Sequence, residues 1–141
     1  MLVADLMTRD PITISMDETV AQIQHLLEQH HFHHLLVVEE GRLVGVVSDR
    51  DVLAALSPFV GRRDERAADA RLLKRHAHQI MTRDPIRVTA SHPLIDAASL
   101  ILAHRISAVP VVDDADAPVG ILTWRDLVSW SVGQMARNKA A

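Results

Sequence analysis

Met7-Thr8-Arg9-Asp10-Pro11-Ile12 recurs, residue for residue, as Met81-Thr82-Arg83-Asp84-Pro85-Ile86, an offset of 74 positions. A run of six identities arises by chance about once in ten million comparisons, and a chain this long offers roughly ten thousand. The chain is therefore an internal duplication. The correspondence continues outward. Val20, Ile23 and Leu27 align with Leu94, Ala97 and Ile101, and Leu35-Leu36-Val37-Val38 with Val109-Pro110-Val111-Val112. Gly45 to Val52 then aligns with Gly120 to Leu127 at an offset of 75, so the second copy has one extra residue in an intervening turn, an ordinary loop variation.

Each copy reads as β-α-β-β-α. The proline after each Met-Thr-Arg-Asp favours an extended chain, so short strands are predicted at 12–14 and 86–88. Asp17 and Ser91 are the predicted helix caps. Apolar residues at 20, 23 and 27, and at 94, 97 and 101, have helical spacing. The β-branched runs 35–38 and 109–112 read as buried strands, followed by strands 43–48 and 119–123 and helices 49–57 and 124–132. Between the copies, Pro58 and Gly61 are helix breakers, and 64–79 reads as one connecting helix. The predicted organisation is repeat 1 over 1–57, a partly helical linker over 58–75, repeat 2 over 76–133 and a tail over 134–141. One unit of about 60 residues is marginal alone. The expected fold is therefore α/β (α+β), with two repeats packed sheet to sheet about a pseudo-two-fold axis.

Composition narrows the function. Of 141 residues, 48% are hydrophobic and 23% charged, with a formal net charge of −3. That balance fits a globular protein and disfavours a nucleic-acid binder. Four scattered aromatic residues offer no base-stacking platform. Without cysteine there are no disulfides, thiolate metal sites or thiol nucleophiles. No apolar run suits a membrane span and no signal peptide is visible, so a cytoplasmic protein with no membrane partner is expected. Neither a phosphate-binding loop nor a nucleophile or zinc-hydrolase motif occurs, so no enzyme and no catalytic cofactor are expected.

The duplicated unit, with Met-Thr-x-x-Pro at its start and Gly-φ-φ-Ser/Thr-x-x-Asp near its end (φ, an apolar residue), resembles the CBS domain. It is most similar to stand-alone bacterial pairs of the acetoin-utilisation type, and the resemblance covers nearly the whole chain. It implies a regulatory sensor that binds an adenosyl ligand such as AMP, ADP or ATP, forms a homodimer and acts on an effector protein. The alternative is a structural dimerisation module that takes no ligand.

The candidate ligand residues begin with Ser48/Asp51 and Thr123/Asp126. A hydroxyl three residues before a carboxylate, at a strand-to-helix junction, is a helix cap. The same carboxylate suits the two hydroxyls of a ribose, while a helix N-terminus suits phosphate. Arg50 and Arg125 are candidate phosphate contacts, with Arg9 and Arg83 behind them. Met7, Ile12 and Phe32 in the first copy, and Met81, Ile86, Ile106 and Ser107 in the second, are candidate adenine contacts; Ile121 is a further candidate ligand-binding residue. The resemblance implies that His33 and His34 face phosphates. It also implies that each site is shared: Thr123 and Asp126 with Met7, Ile12 and Phe32, and Ser48 and Asp51 with Met81, Ile86 and Ile106. The cluster His30-His31-Phe32-His33-His34 suggests zinc, but a strand turns successive side chains to opposite faces, and no metal is expected.

Overall fold

The computed structural model describes residues 1–56 and 67–141. A short 3-10 turn, Val3–Asp5, precedes β1 (Thr8–Arg9), β2 (Thr13–Ser15), α1 (Val20–His30), β3 (His34–Glu39), β4 (Arg42–Ser48) and α2 (Asp49–Ala55). Then come α3 (Ala67–Leu72), α4 (Ala77–Ile80), β5 (Thr82–Arg83), β6 (Val88–Thr89), α5 (Leu94–His104), β7 (Ala108–Val112), β8 (Pro118–Thr123) and α6 (Trp124–Ala140). The described residues form two four-stranded sheets, ordered β2-β3-β4-β5 and β1-β8-β7-β6. The repeated β-α-β-β-α order is present in both, and the mixed α/β class stands.

The compact units are not the sequence repeats. One comprises Ile12–Pro85, the other Met1–Pro11 with Ile86–Ala141. Each repeat's Met-Thr-Arg segment thus belongs with the other repeat's strands. Thr8 and Arg9 pair with Ile121 and Gly120, and Thr82 and Arg83 with Val46 and Gly45, both antiparallel. Asp10 and Asp84, the residues before the two prolines, both adopt left-handed backbone, with φ of 52° and 44°. Such a conformation is uncommon for a non-glycine residue, though aspartate tolerates it better than most.

Within the 12–85 unit, the core contains Ile14, Val20, Ile23, Leu27, Leu35, Val37, Val47, Val52 and Ala77. In the other unit it contains Val3, Met7, Val88, Leu94, Ala97, Ile101, Val109, Val111 and Leu122. The helical triads 20/23/27 and 94/97/101 are therefore the buried faces of α1 and α5. Each fully buried large aliphatic side chain contributes about 1.5–3 kcal/mol.

Four local expectations are corrected. Asp17 does not cap α1; Thr19 does, accepting from the Gln22 N–H at 3.2 Å while Gln22 Oε1 accepts from the Thr19 N–H at 2.9 Å. This reciprocal box satisfies two backbone donors at once. Nor does Ser91 cap α5: the helix begins after Pro93, and the Leu94 N–H donates to the Met1 carbonyl at 3.0 Å. The connecting helix is not continuous over 64–79. Residues 57–66, including Pro58, Gly61 and the charged run 62–66, lie outside the described residues. Beyond α3 the chain turns, because its carbonyls serve α1 instead: Val20 N–H donates to Arg75 at 2.8 Å and Ala21 N–H to Leu73 at 3.1 Å. The stretch 134–140 continues α6 without a proline to stop it.

Candidate functional site

Two strand-to-helix junctions, one per unit, have nearly the same local geometry. Ser48 ends β4 and caps α2. Its Oγ accepts from the Asp51 N–H at 3.2 Å, while Asp51 Oδ2 accepts from the Ser48 N–H at 2.7 Å and the Ser48 hydroxyl at 2.9 Å. Thr123 ends β8 and caps α6. The matching distances to Asp126 are 3.2, 2.8 and 2.8 Å. The capping reading is thus realised in both copies. It has a chemical consequence: two donors hold each carboxylate through Oδ2, and Oδ1 takes no part in the box. Each box is a pre-positioned acceptor, the kind of group that binds a pair of hydroxyls at little ordering cost.

Beside the Ser48–Asp51 box, His34 lies opposite Ser48 in the β3–β4 ladder. The Asp49 N–H donates to the His33 carbonyl at 3.0 Å, and His33 Nδ1 lies 2.8 Å from Asp49 Oδ2. Burial holds the His34 pKa below its ordinary value, and the charges of Asp49 and Asp51 only partly oppose that. Partial burial is also the largest influence on Asp49 and would raise its pKa, but the hydrogen bond and charge of His33 outweigh it and lower the value. Arg50 is exposed. Phe32 is exposed too, its ring stacked on His30 at 6.1 Å.

The second copy keeps the backbone and changes the side chains. The Trp124 N–H donates to the Ser107 carbonyl at 3.0 Å, and the Arg125 guanidinium lies 5.3 Å from the Trp124 ring centre, a cation–π contact. Ile121 is buried within β8, and Ile86 and Ile106 pack against that unit's core. Arg9 and Arg83 turn back on their own segments, donating to the Ala4 carbonyl at 3.2 Å and the His78 carbonyl at 2.8 Å.

The candidate residues fall into two sets. Ile12, Phe32, His33, His34, Ser48, Arg50, Asp51 and Met81 belong to the 12–85 unit; Met7, Ile86, Ile106, Ser107, Ile121, Thr123, Arg125 and Asp126 belong to the other. Each leading methionine shares a unit with the carboxylate box expected to go with it. Ile12 and Phe32, expected with Thr123 and Asp126, instead fall in the unit of Ser48 and Asp51, and Ile86 and Ile106, expected with Ser48 and Asp51, fall in the unit of Thr123 and Asp126. Among the described residues, no group of three or more histidine, aspartate or glutamate side chains is arranged to hold a metal ion. Sequence reasoning missed Asp49, Trp124 and the glycines under the methionines, Gly45 and Gly120. The signal for the first two was there: they are the one position within the aligned Ser/Thr-x-x-Asp where the copies differ in charge.

Comparison with known families finds the CBS domain over residues 3–58 and 77–133. The chain belongs to the CBS domain family. A CBS domain-containing protein of Dictyostelium discoideum is 33% identical over 132 residues, covering 90% of this chain and 88% of that protein. The L-aspartate semialdehyde sulfurtransferase of Methanocaldococcus jannaschii is 32% identical over 127 residues, covering 89% of this chain but 22% of the enzyme. The chain thus spans about a fifth of that relative's length. Among solved structures, an acetoin utilization protein from Vibrio cholerae superposes with a TM-score of 0.79 at 27% identity, covering 100% of this chain and 97% of that one. A CBS domain pair in complex with 5'-methylthioadenosine and S-adenosyl-L-methionine gives 0.80 at 30% identity, covering 95% and 98%. CBSX2 in complex with AMP gives 0.77 at 29% identity, covering 95% and 98%. No helix among the described residues is long and apolar enough to cross a membrane.

Proposed function

We propose that this CBS pair is a regulatory module that binds an adenosyl ligand of the AMP, ADP or ATP type and changes no bond in it. The carrying observation is the duplicated carboxylate box, Ser48–Asp51 and Thr123–Asp126, built to nearly equal distances in both copies. The adenosyl ligands in the two related structures named above support it. On this reading Asp51 and Asp126 take ribose hydroxyls and Arg50 and Arg125 approach phosphates. The apolar residues named above line the base. A thermal-shift screen of AMP, ADP, ATP and S-adenosylmethionine tests it: a specific ligand at 100 times its Kd adds about 2.7 kcal/mol. A flat response to every adenosyl compound contradicts it.

The module works as a cytoplasmic homodimer that an effector protein reads, because a switch needs different ligand affinity in two arrangements. Large apolar side chains remain exposed, among them Leu53 at 73%, Ile95 at 72%, Leu102 at 79% and Met135 at 69%. The same observation favours a second reading, a dimerisation module without ligand. Light scattering that gives twice the 15.6 kDa chain mass supports a dimer under either reading, and the nucleotide screen separates the two.

A further inference from the structure

Side by side, the two boxes differ in one respect that bears on ligand choice. The residue after the capping hydroxyl is Asp49 in one unit and Trp124 in the other, and the residue facing it across the junction is His33 in one and Ser107 in the other. The arginine that follows, Arg50 or Arg125, is common to both. Around the Ser48–Asp51 box stand two carboxylates, Asp49 and Asp51, against one guanidinium. Around the Thr123–Asp126 box stand one carboxylate and one guanidinium. Counting carboxylates and guanidiniums alone, the first box carries one more negative charge than the second.

Resting on the adenosyl reading, we propose that Asp49 makes the Ser48–Asp51 box select adenosyl ligands with few phosphates, while Trp124 leaves the Thr123–Asp126 box open to polyphosphates. A phosphate chain hangs one sugar away from the hydroxyls that Asp51 would hold, and Asp49 is in the same helical turn as Asp51. Charges closer than the Debye length of about 8 Å are only partly screened, so a phosphate that comes that near Asp49 is repelled. His33, with its Nδ1 2.8 Å from Asp49 Oδ2, softens that carboxylate's repulsion without removing it. A phosphate that draws His33 away leaves the Asp49 carboxylate without that contact. At the second junction the indole carries no charge, and its face holds Arg125 in place.

ATP carries about two more negative charges than AMP, and each unit charge at short range in water is worth up to about 1 kcal/mol. Calorimetric titration of AMP and ATP into the full chain, without divalent cations, reads the preference directly. In an Asp126→Ala background, Asp49→Asn keeps the hydrogen-bonding shape and should raise ATP affinity relative to AMP by about fivefold. In an Asp51→Ala background, Trp124→Asp should lower it by a similar factor. His33→Ala should widen the preference for AMP at the first box. Circular dichroism identifies any variant that fails to fold, and Asp49→Asn, at a part-exposed position, carries the test if Trp124→Asp does. An unchanged ATP-to-AMP ratio in Asp49→Asn overturns the proposal while leaving adenosyl binding intact. If the wild type binds neither nucleotide, the adenosyl reading fails and this proposal with it.

Discussion

The Sδ atom of Met81 occupies the place that a side-chain carbon on Gly45 would take, and Met7 fills the same place over Gly120, its sulfur 2.7 Å from the position of that missing carbon. Each methionine comes from one repeat and each glycine from the other, so the bare strand positions are where the repeats interlock within a unit. A methyl group on Gly45 would also stand 3.1 Å from the Thr82 carbonyl, and one on Gly120 2.9 Å from the Thr8 carbonyl. Thioethers adapt, but a backbone carbonyl in a ladder gives little. Gly45→Ala and Gly120→Ala should each lose about 1–3 kcal/mol in urea unfolding. Gly41→Ala, with nothing within 4 Å but a φ of +77°, should be destabilised by backbone strain alone.

The capping boxes can be weighed by removing the hydroxyl. Ser48→Ala and Thr123→Ala should each cost about 0.5–2 kcal/mol of stability. Because the Ser48 and Thr123 hydroxyls also hold the carboxylates, both variants should weaken nucleotide binding in parallel with stability. Variants that lose stability while keeping full affinity would show that the carboxylates need no hydroxyl to be positioned.

His34 makes a prediction about pH. Burial, the main influence, lowers its proton affinity from the ordinary value of 6.5. Below that value the unfolded chain takes up a proton that the native chain resists, so stability present above 6.5 is lost as pH falls toward the native value. Asp49, held below its ordinary 3.8, adds a further loss only at the acid end. Urea midpoints measured at about pH 7.5 and about pH 5.5 should show a drop in the wild type. The drop should be smaller in His34→Gln. An equal drop in both proteins removes His34 from the account.

Much of the fold was legible because periodicity and duplication reinforce each other. Val20, Ile23 and Leu27 announce a buried helix face, and Leu94, Ala97 and Ile101 repeat it. What stayed illegible depends on tertiary pairing. Met7 and Met81 are identical in sequence context, and nothing local says that each lies over the other repeat's glycine. The cap of α5 was misread for the same reason, since the Met1 carbonyl that receives the Leu94 N–H is 93 positions away. The error at α1 was local: Thr19-x-x-Gln22 outcompetes Asp17 because it closes a reciprocal pair of bonds. In the site, Ser48/Asp51 and Thr123/Asp126 were found because they recur. Asp49 was passed over because it does not.

Adenosyl binding through the two boxes is tested most directly by titrating AMP into the wild-type chain and into the Asp51→Ala/Asp126→Ala double variant by calorimetry. Loss of a hydrogen bond to a charged group costs about 1.5–3 kcal/mol, a factor of roughly ten to a hundred per box. The account predicts saturable heat in the wild type and binding weakened at least tenfold in the double variant, with the fold retained. Equal binding in both proteins, or no heat in the wild type at millimolar AMP, would contradict it.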